Sequence, residues 1–351
     1  MSDIAFDLLR EKLNDLTAFD GVWVVDENIS FEEIRQIHPR NNLLAVTNRY
    51  DVYTQLLAHG LRAEISDFDF SNIAPLDVLF FRVSKEKAIV HHIINGALLR
   101  LRENGRLFLS GYKNEGIKTY INKTASLFDN EPTTDNGGKT ARIACLQKPV
   151  ATGSLLDDKN YDQIVDITEV GGNAETIKLA TKPGVFGWNK IDKGSAFLIE
   201  HLSLFLDDLA GRPKVIADLG CGYGYLSVMA SQTVGVEFIA TDNNVTAVTC
   251  CRENFKRYAI SGEVILDDCA EGFRKKVDVV LCNPPFHQGF DVDGDLTSRF
   301  LTAAKKLLRE NGAALFVVNS FIPLERKAEG IFSKVSVLAN NRSFKLLALE
   351  P

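Results

Sequence analysis

Two short stretches of the chain carry residue types in an order that can do chemistry. The first is Val215-Ile-Ala-Asp-Leu-Gly-Cys-Gly-Tyr-Gly-Tyr-Leu226, an apolar run closed by Asp218, with Gly220, Gly222 and Gly224 at alternate positions behind it. Such glycines remove side chains where a ligand must press against the backbone, and a helix starting just beyond them adds partial positive charge. The second is Asn283-Pro-Pro-Phe-His287, directly after the apolar run Val277-Asp-Val-Val-Leu-Cys282. An amino group on an aromatic ring is a poor nucleophile because its lone pair is delocalised, and hydrogen-bond acceptors on that NH2 localise the pair. Asn283 Oδ1 and the Pro284 carbonyl can supply two acceptors, while consecutive prolines fix the loop beforehand. Phe286 would stack on the ring, and Pro285 and His287 line the same loop. His287 serves equally well as a packed or capping residue and receives no proton-transfer role. Pro-Pro also closes strands as a plain turn, so the motif gains its meaning from what precedes it.

A glycine-rich turn can also cradle a dinucleotide pyrophosphate. Asp218 argues against that: a carboxylate there accepts a hydrogen bond from an ammonium group and repels a pyrophosphate. The spacing G-x-G-x-G also departs from the dinucleotide fingerprint. Glu237-Phe-Ile-Ala-Thr-Asp242 ends in an acid about two dozen residues after Asp218, the usual distance for gripping ribose hydroxyls. Glu263-Val-Ile-Leu-Asp-Asp268 ends in another, placed to receive an adenine amino group. Singly, each acid is more often a cap or turn former. Three at successive strand ends outline a nucleoside-bearing methyl donor, whose sulfonium leaving group carries the hard chemistry without a metal or a covalent nucleophile. A base paired in a duplex cannot present its amino group, so it must be unpaired or flipped out.

Apolar β-branched runs alternating with helical segments place these motifs on an open parallel sheet, an α/β architecture. The pattern is duplicated about 200 residues apart. Leu44-Ala-Val-Thr-Asn48 pairs with Ile239-Ala-Thr-Asp-Asn243, and Asp77-Val-Leu-Phe-Phe81 with Asp278-Val-Val-Leu-Cys282. Leu101-Arg-Glu-Asn-Gly105 pairs with Leu308-Arg-Glu-Asn-Gly312, each read as a helix end at glycine before a strand. Lys148-Pro-Val-Ala-Thr-Gly153 and the polar residues 157–162 read as a connection, giving domains 1–153 and 154–351. Thr181-Lys-Pro-Gly-Val-Phe-Gly187 reads as a loop with an unusual backbone path, leading into a helix from Lys193 to Leu209.

At 351 residues the chain exceeds one ordinary core. With 45% hydrophobic and 25% charged residues and no long apolar run, the composition excludes a membrane protein. Ile4, Leu8, Leu9, Leu13 and Leu16 predict an amphipathic helix at the amino terminus rather than a signal. Six cysteines without a CxxC pair fit reduced thiols in the cytoplasm. A formal charge of -6 disfavours generic nucleic-acid binding, but residues 81–150 hold 12 Lys and Arg against 6 Asp and Glu, whereas residues 1–80 hold 6 against 14. Lys113 and Lys118 in that basic segment are candidate RNA contacts.

Taken together, Pro183-Gly-Val-Phe186, Asp192-x-Gly-Ser195, Asp218-x-Gly-x-Gly-x-Gly224, Asp242 and Asn283-Pro-Pro-Phe-His-x-Gly289 make the chain resemble the bacterial ribosomal RNA guanine-N2 methyltransferases, most closely the small-subunit (16S) type. Lys85-x-Lys-Ala88 and Gly105-Arg-Leu-Phe-Leu-Ser-Gly-Tyr-Lys-Asn114 extend the likeness, less sharply, into the first half. The resemblance implies two tandem Rossmann-like class I methyltransferase folds, of which only the second binds S-adenosylmethionine while the first supports folding and RNA capture. It places the methionine end on Asp218 and the glycines, ribose on Asp242, adenine on Asp268, and guanine on Asn283, Pro284 and Phe286, with a loop around Gly187 and Asp192 closing over the cofactor. Gly187 stands where relatives often carry a hydroxyl residue. In the first half Val22-Trp-Val-Val-Asp-Glu-Asn28 lacks the glycines and Phe80-Phe-Arg-Val-Ser84 replaces the second motif, so that domain is expected to be inactive. The implied partner is ribosomal RNA, within the small subunit or an assembly intermediate, for a cytoplasmic, metal-free monomer. Other enzymes with the same motif are the large-subunit guanine-N2, DNA adenine and protein glutamine methyltransferases. A noncatalytic RNA chaperone or assembly factor on the same fold is the non-enzymatic alternative, disfavoured by an intact set of Asp218, Asp242 and Asn283.

Overall fold

The helix and strand alternation is realised twice in the computed structural model, which describes residues 3–15, 19–149, 154–170, 176–285 and 294–351. The chain divides into two compact units, Met1–Asp162 and Gln163–Pro351. The first contains β1 (Gly21–Val24), β2 (Leu43–Thr47), β3 (Arg62–Ile65), β4 (Leu76–Arg82), β5 (Leu101–Tyr112), β6 (Thr133–Gly137) and β7 (Ala141–Gln147). The second opens with a hairpin, β8 (Val165–Val170) and β9 (Thr176–Thr181). It continues with β10 (Val215–Leu219), β11 (Glu237–Asp242), β12 (Gly262–Leu266), β13 (Val277–Cys282), β14 (Leu308–Asn319), β15 (Lys334–Asn340) and β16 (Phe344–Glu350).

Both sheets have seven strands in one order: β3-β2-β1-β4-β5-β7-β6 and β12-β11-β10-β13-β14-β16-β15. The first five in each order run parallel, and the last two pairings are antiparallel. The order reverses between the first and fourth strands of each unit, which opens a crevice at the carboxyl ends where such sheets hold ligands. Helices cover both faces. Along β13, Val279 and Leu281 enter one apolar cluster while Val277, Val280 and Cys282 enter the other. Along β4, Leu79 and Phe81 face one cluster and Val78 and Phe80 the other. Strands buried on both faces need nearly continuous apolar runs, the signal that marked them in the sequence.

The duplication extends to individual hydrogen bonds. Asp77 accepts from the Asp20 amide at 3.0 Å and pairs with Arg102 at 2.7 Å. Asp278 accepts from the Lys214 and Val215 amides at 2.8 and 2.9 Å and pairs with Arg309. A Cβ on Gly105 would lie 3.2 Å from the Asp77 carbonyl oxygen, and one on Gly312 2.8 Å from that of Asp278. These glycines let β5 and β14 clear a neighbouring carbonyl; they do not end helices, as the sequence reading had it. The helices Lys87–Arg100 and Gly294–Leu307 stop earlier, and Leu101 and Leu308 already pair with Leu76 and Val277 ahead of a register shift.

Three other expectations need correction. Residues 154–162 pack on the first unit instead of opening the second. The Asn95 side chain bonds both the amide and the carbonyl of Leu156 at 2.9 Å, His91 Nδ1 lies 2.6 Å from the Asp157 carbonyl, and buried Tyr161 reaches Asp67 at 2.7 Å. Their partners are remote in sequence, so composition alone reads the stretch as a linker. The helix from Lys193 breaks after Glu200: the His201 amide bonds back to Leu198 and its ring to Phe197, and a second helix runs Leu202–Asp207. Finally, β12 ends at Leu266, with Asp267 and Asp268 in the turn beyond it. The amino-terminal helix spans Ile4–Asn14 and buries Phe6, Leu9 and Leu13; Leu16 lies outside the described residues. All six cysteines are free thiols. Among the described residues no helix is long and apolar enough to cross a membrane.

Burial works against ionisation of Asp278, yet the two amides and the Arg309 guanidinium outweigh it and hold the carboxyl below its usual range. Its contribution to stability is present above the unfolded-state value near 4 and is lost as pH falls through the lower folded value. Asp278→Ala should therefore destabilise the protein by about 1–3 kcal/mol in urea unfolding at pH 7. The difference from wild type should shrink toward pH 3.

Candidate functional site

The carboxyl edge of the second sheet gathers β10, β11 and β13 around the glycine turn. The amides of Gly220 and Cys221 both donate to the Thr241 carbonyl at 2.9 Å, which folds the turn against the end of β11. Asp242 clamps it from the same side: Oδ2 accepts from the Gly222 amide and Oδ1 from the Asn244 amide, each at 2.9 Å. The three glycines do different work. A Cβ on Gly220 would meet Phe300 at 2.9 Å and one on Gly224 the Cys251 sulfur at 2.7 Å, so internal packing alone already requires glycine at these two positions. Gly222, at φ +55°, faces open space with nothing within 4 Å. It is the position that leaves room for a ligand.

Beneath the turn Asp218 is 1% exposed. Its Oδ2 accepts from the Ser227 amide and hydroxyl at 3.0 and 2.7 Å, while Oδ1 is buried with no hydrogen-bond partner. Burial pushes the carboxyl up to about 6, against the Ser227 hydrogen bonds and with a further upward push from Asp242. A buried carboxylate oxygen without a donor is costly, and a cationic donor brought by a ligand relieves that cost. Both Gly222 and Asp218 Oδ1 therefore fit a ligand bearing an ammonium group. Ser227 had no signal in the sequence beyond following the turn.

Asn283 stands one residue past β13. Its Nδ2 donates to Asp192 Oδ1 and to Ser195 Oγ, both at 2.8 Å. A carboxylate can only accept, so this contact fixes which end of the amide faces inward and leaves Oδ1 as the exposed acceptor. Asp192 caps the helix Lys193–Glu200, receiving the Ser195 amide at 2.9 Å on the same oxygen that holds Asn283. The structure thus brings Asp192 to Asn283 as a positioning residue. Pro284 is buried and Pro285 exposed. Phe286 and His287 lie outside the described residues.

The remaining candidates sit around this centre. Gly187, at φ +71°, would place a Cβ 3.8 Å from the Tyr223 ring, so its loop lies over the glycine turn. The Gly184 carbonyl accepts from Asn244 Nδ2 at 3.4 Å, tying that loop to the end of β11. Asp268 is ion-paired with Arg299 of the helix Gly294–Leu307, a partner 31 residues away with no spacing signature. Lys113 and Lys118 are exposed on the first unit, Lys113 donating to the Lys139 carbonyl at 2.5 Å. Among the described residues no group of His, Cys, Asp and Glu side chains is placed to hold a metal ion.

Register shows what replaces these residues in the first unit. Asp218 lies opposite Ala240 and Leu281; Trp23 lies opposite Ala45 and Phe80, the matching positions. Thr47 takes the place of Asp242, and its Oγ1 accepts from the Arg49 amide as Asp242 does from that of Asn244. Arg82 takes the place of Asn283 and is bound by Asp3 at 3.0 Å and Glu115 at 2.7 Å. Asp3 caps its helix on the Phe6 amide, so the pair Asp3–Arg82 repeats the pair Asp192–Asn283.

Residues 176–348 match the family model described as "Methyltransferase small domain". A Shewanella amazonensis protein named "Ribosomal RNA small subunit methyltransferase C" is 24% identical over 290 residues, 82% of this chain and 81% of the relative. A Haemophilus influenzae protein of the same name is 29% identical over 277 residues, 78% of this chain and 79% of the relative. The solved structure "T. Thermophilus 16S rRNA N2 G1207 methyltransferase (RsmC) in complex with AdoMet and Guanosine" superposes with a TM-score of 0.83 at 23% identity, covering 99% of this chain and 92% of that one. The two share their fold over both units.

Because one Asp192 oxygen serves both the helix cap and Asn283, Asp192→Ala should cost about 1–2 kcal/mol in urea unfolding. Asp192→Asn keeps a capping oxygen and should cost less than half as much. Equal losses in the two variants would mean the charge, not the cap, holds the helix.

Proposed function

We propose, on the footing that residues 176–348 are a methyltransferase domain, that this chain transfers a methyl group from S-adenosylmethionine to the exocyclic N2 of a guanine in small-subunit (16S) ribosomal RNA. The names of its relatives support the substrate class. The observation that carries the chemistry is the Asn283 amide, held by Asp192 and Ser195 with its oxygen presented at the end of β13.

Bound, S-adenosylmethionine supplies a methyl group on a sulfonium centre. Asp218 Oδ1 receives the ammonium of its methionine end, over the space left by Gly222. Asp242, at the end of β11 beside the glycine turn, accepts from the ribose hydroxyls. Asp268, through the oxygen not held by Arg299, receives the adenine amino group. Asn283 Oδ1 and the Pro284 carbonyl accept from the guanine amino group, localise its lone pair and aim it, with Phe286 stacked on the ring. The Gly187 loop covers the site and excludes water. The first unit, with Trp23 and Arg82 in place of Asp218 and Asn283, binds no cofactor; it supports folding and captures RNA through exposed lysines such as Lys113 and Lys118. The chain acts as a cytoplasmic monomer on the small subunit or an assembly intermediate.

The direct test is transfer of labelled methyl to small ribosomal subunits that lack the modification, followed by nucleoside analysis. N2-methylguanosine is the expected product. Asn283→Ala should lower kcat by about 100-fold or more while cofactor affinity holds within a few-fold, as expected for an interaction made to the reacting amine. Transfer confined to large-subunit RNA, DNA or protein would overturn the substrate assignment.

Asp218 adds a pH signature. With its folded value raised to about 6, ligand-free protein is relieved of the buried charge below the unfolded value near 4 and loses on the order of 3 kcal/mol as pH rises through 6. An ammonium ligand prefers the ionised form. Cofactor affinity should therefore rise between pH 5 and 7, and the rise should vanish in Asp218→Asn, measured by calorimetric titration. A rise that survives in Asp218→Asn belongs to another group.

A further inference from the structure

Two phenylalanine rings stand almost bare on the rim of the second unit. Phe321 is 82% exposed and Phe186 74%. Neither sits on a loose segment. The Ile322 amide bonds the Asn319 carbonyl at 2.9 Å, making a tight turn with Phe321 at its tip. That turn is pinned from below: the Ser320 amide donates to the Ser343 carbonyl and its hydroxyl to the Asn341 carbonyl, both at 2.9 Å, and Leu324 just beyond is fully buried. Phe186 lies between two successive turns, closed by Val185 amide to Lys182 carbonyl at 3.2 Å and Trp188 amide to Val185 carbonyl at 3.1 Å. Val185 beside it is 3% exposed. Each backbone is fixed while each ring is offered to solvent, where a polar residue would serve the fold equally well.

Their places along the sheet edge bracket Asn283. The strands run β11, β10, β13, β14. The turn carrying Phe186 is tied to the end of β11 through Gly184 and Asn244, Asn283 follows β13, and Phe321 follows β14. Cys282 lies opposite Phe316, so Asn283 and Asn319 leave the sheet at the same carboxyl edge, on strands about 5 Å apart. Phe344, paired with Asn319, packs on Gly194, next to the Asp192 that holds Asn283.

We infer that Phe321 and Phe186 are stacking platforms for unpaired bases flanking the target guanine, one on either side of the reacting amide. This rests on the function proposed above and adds how the strand around the target is gripped. The surroundings favour a nucleic acid over an apolar protein partner. The rings sit on different segments, and each has exposed cations near it in the chain or by hydrogen bonding: Lys190 ends the Phe186 loop, Lys193 opens the helix that follows, and Arg342 lies in the β15–β16 turn to which Ser320 is bonded. Isolated aromatic faces among cations are the pattern that holds single strands, each base bringing a π-face and each step a phosphate. A flipped target base leaves its neighbours unstacked, and the platforms replace the stacking they lose.

The test is the KM for small-subunit ribosomal RNA in the methyl-transfer assay, alongside calorimetric affinity for S-adenosylmethionine and the thermal midpoint. Phe321→Ala should raise the RNA KM about 5- to 100-fold, with cofactor affinity and midpoint unmoved. Phe321→Trp should stay within about 3-fold of wild type, while Phe321→Leu should behave like alanine, since leucine is apolar but has no face to stack. Phe186→Ala should act in the same direction. An unchanged KM in Phe321→Ala, or full function in Phe321→Leu, sinks the platform while leaving the methyl-transfer reading intact. So does a concentration-dependent dimer of wild type abolished in Phe321→Ala, which would make the ring a contact between two copies. Wild-type protein that methylates no RNA overturns the underlying function and the platform together.

Discussion

An aspartate that caps a helix and also grips the side chain at the carboxyl end of β4 or β13 sets the carboxyl edge of each unit. In the second unit one oxygen of Asp192 takes both the Ser195 amide and Asn283 Nδ2, so the helix start and the amide cannot move independently. That helix packs on β14, and its Gly194 admits the Phe344 ring at the mouth of β16. Cap, amide and antiparallel edge strands are thus fixed as one assembly before any ligand arrives. Preorganisation of this kind matters for an amine donor, because an acceptor that must reorient on binding gives back part of the lone-pair localisation it offers.

The first unit shows the same frame with other side chains at the positions that match Asp218, Asp242 and Asn283. The Asp77 and Asp278 networks, the crowded glycines and the helix-capping aspartates recur, whereas the ligand-facing positions differ. Where the second unit leaves a buried carboxylate oxygen without a donor, the first places the wholly buried indole of Trp23. Where the second presents an amide, the first holds the Arg82 guanidinium between two carboxylates, 3% exposed. The second unit keeps an unmet acceptor and open space at its crevice; the first fills the matching position with an aromatic ring whose buried N–H is itself unmet, a donor that attracts no cation.

Much of this was legible in the sequence because it lies in short local signals. The runs that became β10, β11 and β13 are mainly apolar, β11 closes on its acid, and the Asn-Pro-Pro follows β13 directly. What sequence could not supply were partners brought together by the sheet. Ser195 to Asn283, Arg299 to Asp268 and Asn95 to Leu156 each join residues far apart in the chain, and none has a spacing signature. The glycines show the same limit. Three at alternate positions look equivalent until the structure shows Phe300 and Cys251 behind two of them and open space before the third. Composition misled at residues 154–162, polar in type yet hooked onto a buried helix.

The Trp23 indole has a consequence for how the two halves can change over time. Replacing it by a carboxylate would remove a fully buried aromatic side chain, a loss on the order of 3–5 kcal/mol, and would bury a charge with no partner in its place. Arg82→Asn alone would leave the part-buried Asp3 and the buried Glu115 side chain without their shared cation, at a comparable cost. Either step consumes much of the 5–15 kcal/mol that ordinarily keeps a domain folded, before any ligand-binding benefit exists to select for it. Single substitutions toward the residues of the second unit are therefore opposed by the stability of the first, whose surface alone is left free to vary.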